Sequence, residues 1–417
     1  MPPRSARSRV KVLLTRFLGF GAVPLISAVV PFLVLPVASR VDGPEGWAAI
    51  GTGQAIGSFV AMVASYGWNV NGGARVSEAP SSKHRHAVYA QSLWCRLIVF
   101  VVAGTAGAIL AAVLVDGTFA PVAALAALAT GATGLTVTWF SVGVGSARLA
   151  LWYEAVPFAS LTLLSIGIML TTGSVIAYPI AMLCGVFIGL VLLNFHLYRS
   201  AIPPFVGTDV RAAFRGNLAL AVADGIGGSY TTAPVPVAQG ILGTQAAAEL
   251  TSADKIYRIG LTAVVVLGNS LQKWVLEAPF SEGRMRRHGI ALALHALVGA
   301  GGFLVLTFLG VPLTEFLLGA AVTPPPEVFP AYGAAYFLIS LSTPLIRNIL
   351  VPAGRDRVVL GAILASAAIG LPAMIVGGTQ SGMIGIVLGL ALSEVVVFVV
   401  VSCFAVGVLR SEARSLR

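Results

Sequence analysis

The apolar positions of this chain fall in long unbroken runs, unlike the alternation of a half-buried strand or the single stripe of a surface helix. Stretches of about 20 residues, the length that crosses a bilayer as a helix, recur at about 15–39, 47–70, 90–115, 119–141, 150–171, 175–198, 213–239, 246–276, 289–311, 329–351, 357–377 and 383–409. Twelve such spans with short connections predict an all-α polytopic membrane protein. Hydrocarbon offers the backbone no hydrogen bonds, so a chain of this pattern has only helices to cross with.

Composition agrees, with 57% apolar and 10% charged residues in 417. The formal net charge of +10 would suit nucleic acid, but the basic residues cluster at span ends in alternate connections. One set holds Arg4, Arg7, Arg9 and Lys11, then Arg75, Lys83 and Arg85, Arg148, Arg199 and Arg211, Arg284, Arg286 and Arg287, Arg355 and Arg357, and the C-terminal arginines. The opposite connections carry Asp42, Glu45, Asp116, Glu249, Glu315 and Glu327, with Arg40 as their only basic residue. The positive-inside rule then puts both termini in the cytoplasm of a cell membrane, with lipids as neighbours and no nucleic-acid partner. The first apolar run is too long for a signal peptide and reads as an uncleaved span. Trp47, Trp68, Trp94, Trp139, Trp152 and Trp274 fall near span ends and predict an interfacial belt. Cys95, Cys184 and Cys403 lack metal-like spacing and read as core packing. His84 and His86 have no apparent third ligand, so no metal is expected, and nothing calls for a cofactor.

The Pro203-Pro204 connection lies near mid-chain and suggests two six-helix lobes, 1–200 and 201–417. An internal comparison supports two halves. A shift of 200 residues aligns Pro36-Val37-Ala38 with Pro236-Val237-Ala238, Gly43 with Gly243, Ala48 with Ala248, Ile56 with Ile256 and Asn69 with Asn269. An even number of spans per half makes this a parallel repeat, with a pseudo-two-fold along the membrane normal. The first span of each half is interrupted, by Pro24, Pro31 and Pro36 in one and by Gly225, Gly227, Gly228, Pro234 and Pro236 in the other. Paired interruptions point to the substrate path of a transporter; kinked packing helices are the alternative.

Candidate chemistry sits in the eighth span. Asp254, Lys255 and Arg258 lie within an apolar segment, where charges usually face a bundle interior or water. Helical spacing aligns them with Asn269, and the equivalent face of span two carries Gln54, Ser58 and Asn69. Two such stripes would line a central cavity. The alternative is a solvated outer end of span eight. Asp254 and Arg258, four apart, are spaced to pair. Asp224 and Glu394, central in spans seven and twelve, either couple an ion, H+ or Na+, or serve as partners for Arg258. Arg16 and Arg40 cap span one as gate residues or snorkel to the interface, Glu154 is expected to pair with Arg148, and Arg96 and Arg347 to snorkel.

The stretches Arg16-Phe17-Leu18-Gly19-Phe20, Leu35-Pro36-Val37-Ala38-Ser39-Arg40, Gly43-Pro44-Glu45-Gly46-Trp47, Tyr66-Gly67-Trp68-Asn69 and Ala253-Asp254-Lys255-Ile256-Tyr257-Arg258 resemble bacterial polysaccharide-export flippases of the Wzx type. These belong to the multidrug/oligosaccharidyl-lipid/polysaccharide exporter superfamily. Asp42 and Ala48 depart from that pattern, and twelve spans match the lipid II flippases of the MurJ type less well. The resemblance implies a non-enzymatic, two-lobed transporter of the bacterial inner membrane. It would move a polyprenyl-diphosphate-linked oligosaccharide between leaflets by alternating access, in association with glycan polymerase machinery. A drug/cation antiporter of the same superfamily is the alternative, and would not need a cationic cluster. A membrane glycosyltransferase or polymerase would need larger loops than these.

Overall fold

The computed structural model describes residues 30, 32–277 and 282–415. Arg16, Pro24 and Pro31 lie outside these. Packing divides the chain into two units, Met1–Gly225 and Ile226–Arg417. The division falls inside a helix rather than at Pro203-Pro204, because the early part of that helix packs on the first unit: Val210 and Ala213 belong to its buried core.

In the first unit the helices are α1 (Phe32–Val41), α2 (Gly43–Ser65), α3 (Trp68–Glu78), α4 (Ser82–Val115), α5 (Ala120–Ala132), α6 (Thr138–Val144), α7 (Ala147–Thr172), α8 (Ala177–Tyr198) and most of α9 (Gly207–Thr231). The second holds the end of α9, then α10 (Pro234–Leu242), α11 (Thr244–Leu276), α12 (Glu282–Leu318), α13 (Val328–Leu350) and α14 (Asp356–Ser415). Among the described residues nine helical runs are long and apolar enough to cross a bilayer. The difference from twelve has three sources. α14 contains two expected spans, folded at Gly382, whose φ of 65° and ψ of −145° interrupt the helix. Span seven is split between α9 and α10 around Thr232 and Ala233, and α9, though 25 residues long, is too polar to count, with Arg211, Arg215, Asn217 and Asp224 along it. Span one falls mostly on residues outside those described.

α2 is the spine of the first unit, and small residues make that position accessible. A Cβ on Gly53 would lie 2.3 Å from the Ala123 carbonyl oxygen, and one on Gly57 2.6 Å from that of Ala127, so α2 and α5 touch backbone to backbone. Lipid tails are as apolar as leucine, so close packing of this kind, not hydrophobic burial, holds such helices together. At the start of α2, Asp42 Oδ2 accepts a hydrogen bond from Val175 N–H at 2.7 Å, which ties that end to the beginning of span six.

The aligned repeat positions share environments. Ala38, Ala238, Ala48 and Ala248 are all fully buried. Gly43 and Gly243 both adopt positive φ immediately before their spans, at 61° and 86°. The halves then diverge: α2 ends at Tyr66 and Gly67, both left-handed with φ of 47° and 73°, whereas α11 runs unbroken to Leu276.

Three expectations need correction. The connection at 71–89 is mostly helical, since only 79–81 separate α3 from α4. α4 has 34 residues, roughly 51 Å of helix, so its charged beginning extends past the hydrocarbon. The tryptophan belt fails for Trp47, Trp68 and Trp139, which are buried, the last two packed against each other at 5.4 Å between ring centroids. Of the cysteines only Cys95 is buried; Cys184 and Cys403 are exposed.

Replacing Gly53 with Val should therefore separate α2 from α5 and destabilise the fold by about 1–3 kcal/mol. Gly167→Ala, where a Cβ meets nothing within 4 Å, should be neutral or mildly stabilising. Thermal melts of the detergent-purified variants distinguish the two.

Candidate functional site

The break in span seven organises the charges of the second unit. Pro234 has no N–H to continue the ladder and its ring clashes with the preceding turn, so α9 stops at Thr231 and α10 begins afresh. Side chains take up part of the slack: the Thr232 hydroxyl donates to the Gly228 carbonyl at 2.8 Å, and that of Thr231 to Gly227 at 3.1 Å. The Thr231 carbonyl itself accepts from Arg258 Nη2 at 2.7 Å.

Arg258 is held by its own helix. Its Nε donates to Asp254 Oδ2 at 2.5 Å, one turn back on α11. The Asp254 side chain is 7% exposed and that of Arg258 32%, so the pair runs from the packed interior toward an open face. Oδ1 of Asp254 is buried and carries no hydrogen bond. Lys255, half-buried, adds a second cation to one carboxylate, so the cluster is net positive. Arg258 lies roughly 21 Å along α11 from its start, well inside the 33-residue helix. Its carboxylate partner is Asp254, not Asp224 or Glu394.

Behind the cluster is an aromatic wall. Tyr257 and Tyr332 rings stand 4.9 Å apart, and the Tyr336 hydroxyl donates to the Gly260 carbonyl at 3.1 Å. Glu394, 4% exposed, lies on the second arm of α14 near Tyr230, the residue before Thr231. Glu394 thus adjoins the same helix break as Arg258. Asp224 is half-buried on α9, in the first unit.

The remaining candidates are placed differently. Asn269 is exposed and its Oδ1 accepts from Arg347 Nη1 at 2.7 Å, so Arg347 is tied to α11 instead of snorkelling. Gln54 is 7% exposed and donates to the Tyr178 hydroxyl of α8 at 3.3 Å. Ser58 donates to the Gln54 carbonyl at 2.7 Å. Asn69 is exposed on α3, beyond the left-handed turn, so Gln54 and Asn69 do not share one helical stripe. Arg40 is exposed and donates to the Pro36 carbonyl at 2.7 Å.

Two further charges, Arg96 and Glu154, meet at a helix break that the sequence did not reveal. Span four is broken between α5 and α6, and Arg96, fully buried on α4, donates from Nη1 to the Gly134 and Thr136 carbonyls at 3.2 and 2.7 Å. From the other side Glu154 accepts from Val137 N–H at 2.9 Å and from the Thr138 hydroxyl at 2.8 Å. Arg96 therefore does not snorkel, and Glu154 turns to the broken helix and not to Arg148. The available signal was Thr130-Gly131-Ala132-Thr133-Gly134, a helix-weakening run inside a span.

Comparison with known proteins places this architecture. A family model described as polysaccharide biosynthesis protein matches residues 18–271, more than half of the chain. The chain belongs to that family. A putative O-antigen transporter of Shigella dysenteriae is 21% identical over 368 residues, which cover 85% of this chain and 90% of that protein. Among solved structures, the inward-facing conformation of a multidrug resistance MATE family transporter of the MOP superfamily matches with a TM-score of 0.72 at 14% identity, covering 94% of this chain and 100% of that one. The lipid II flippase MurJ in an inward closed conformation matches with a TM-score of 0.67 at 10% identity, covering 93% and 87%. At such identities the likeness is one of fold: this member of the polysaccharide biosynthesis family shares the all-helical fold of those two proteins.

Truncating one partner of a buried ion pair leaves the other uncompensated and typically costs about 3–5 kcal/mol, whereas removing both is far milder. Asp254→Ala should lower the melting temperature more than the Asp254→Leu/Arg258→Met double variant does. Equal losses from the two would show that the pair is not energetically coupled.

Proposed function

We propose that this protein is a flippase for a polyprenyl-diphosphate-linked oligosaccharide, carrying it from the inner to the outer leaflet of a bacterial inner membrane by alternating access. The observation that carries the reading is the net-positive cluster of Asp254, Lys255 and Arg258 at membrane depth in a polysaccharide biosynthesis family member. The name of the Shigella relative supports the same substrate class.

The physical task is to move a diphosphate through hydrocarbon without bond changes. A lone anion there is very costly, and a preformed cationic site offsets that cost. Arg258 supplies a planar fork matched to phosphate oxygens and Lys255 a compact point charge. Asp254 keeps Arg258 oriented between substrate molecules. A phosphate oxygen arriving at the guanidinium competes with the Thr231 carbonyl, so binding bears directly on the break between α9 and α10. A carrier of cationic drugs would gain nothing from this positive site.

Glu394 and Asp224 are the candidates for coupling to H+ or Na+. Glu394 adjoins the same break through Tyr230, so its charge state can bias the helix that Arg258 caps. The charge pattern of the connections supports cytoplasmic termini, and glycan polymerase machinery is the expected partner.

Lys255→Ala and Lys255→Ala/Arg258→Ala should lower delivery of lipid-linked sugar to the outer leaflet, per molecule of protein in the membrane, at least about tenfold, a loss of about 1.4 kcal/mol or more. Unchanged delivery by the double variant would exclude the cluster as the diphosphate site. Glu394→Gln and Asp224→Asn should be assayed in vesicles with and without a proton or sodium gradient. Gradient stimulation retained by both would remove them as coupling groups.

A further inference from the structure

The first unit holds a carboxylate that the substrate site does not use. Glu154 lies in a π-helical turn, Leu151–Ala155, at the beginning of α7. Such turns free a backbone carbonyl and re-aim side chains, and they recur at functional sites. Here the turn directs Glu154 at the break in span four. Beside it is a cavity of about 310 Å³, lined by Glu154, Tyr153, Thr133, Thr136, Phe158 and Val186 among others.

The hydrogen bonds to Glu154 come from neutral donors, Val137 N–H and the Thr138 hydroxyl. Among the described residues the ion pairs are Arg258 with Asp254 and Lys273 with Glu277, so no cation touches Glu154. Arg96 is the opposite charge that faces it; its Nη1 is committed to the Gly134 and Thr136 carbonyls, its Nε and Nη2 are buried without a hydrogen-bond partner, and it makes no ion pair with Glu154. From α8, His196 reaches the same corner, its ring 5.3 Å from that of Tyr153.

A half-buried carboxylate that accepts only from neutral donors and borders a cavity lined in part by Thr133 and Thr136 is a site for a small cation. We propose that Glu154 and this cavity form a monovalent-cation site in the first unit, taking H+ or Na+. Glu154 lies six residues beyond Arg148 in the sequence, roughly 9 Å of helix, which puts the site near the end of the span that carries the basic residue. Protonation turns the carboxyl into a donor toward Thr138, and Na+ would instead take carboxylate and threonine oxygens together. Either occupant changes what holds Val137 N–H at the break.

Trp139 and Trp152 flank the site in sequence and provide a native reporter. The full-length protein in lipid nanodiscs is titrated in two arms, pH without sodium and NaCl at fixed alkaline pH, and tryptophan fluorescence is followed. The wild type should show a saturable change in at least one arm, and that arm identifies the ion. Glu154→Gln should lose most of the amplitude, while His196→Gln retains it. Should Glu154→Gln fail to fold, Val186→Phe, which fills the cavity and leaves the carboxylate, should shift the midpoint at least about tenfold. A full-amplitude, unshifted titration in the folded variant overturns the proposal, as does a wild type silent in both arms. Because no glycan is involved, the result is independent of the substrate assigned to the second unit.

Discussion

Every irregular stretch of backbone inside this membrane protein must find its hydrogen bonds within the protein, because hydrocarbon supplies none. The described helices break between α5 and α6 and between α9 and α10, inside apolar spans, and at each break backbone groups are met by a charged side chain. Arg258 serves the Thr231 carbonyl, Arg96 serves Gly134 and Thr136, and Glu154 serves Val137 N–H. Arginine suits carbonyls because one fork can address several acceptors while remaining charged at any pH the cell meets. The charges are thus structural first.

Much of this architecture was legible. The spacing of apolar runs located the spans, and the 200-residue shift picked out positions whose environments agree in detail, with Gly43 and Gly243 at positive φ and Ala48 and Ala248 buried. The pairing of Asp254 with Arg258 was also readable, because both partners lie on one helix four residues apart and need no tertiary information.

What the sequence hid was tertiary. Arg96 is met by backbone carbonyls and Glu154 by a backbone N–H and the Thr138 hydroxyl, all from another helix, so their partners could not be foreseen from composition. Gln54 looked like a cavity residue because polar spacing alone does not say which neighbour a helical face meets; it meets Tyr178. The polar stripe from Gln54 to Asn69 failed because two consecutive left-handed residues, Tyr66 and Gly67, rotate everything after them. Hydropathy likewise ended the spans where charge began, although α4 continues as helix well past that point.

The two charged breaks differ in what they require of the fold. In the second unit Asp254 and Arg258 share α11, so the ion pair survives any rigid movement of that helix, and only the bond to Thr231 is exchanged when the break flexes. In the first unit Arg96 comes from α4, the broken backbone from α5 and α6, and Glu154 from the turn opening α7, so the arrangement exists only while these elements stay packed. On the function proposed, the first arrangement would trade one oxygen partner for another as a phosphoanion arrives; on the ion site proposed, the second would change only with the occupancy of a carboxylate. A transporter of that kind needs both devices, one that recognises cargo and one that registers an ion, and backbone breaks are where each would act on helix geometry.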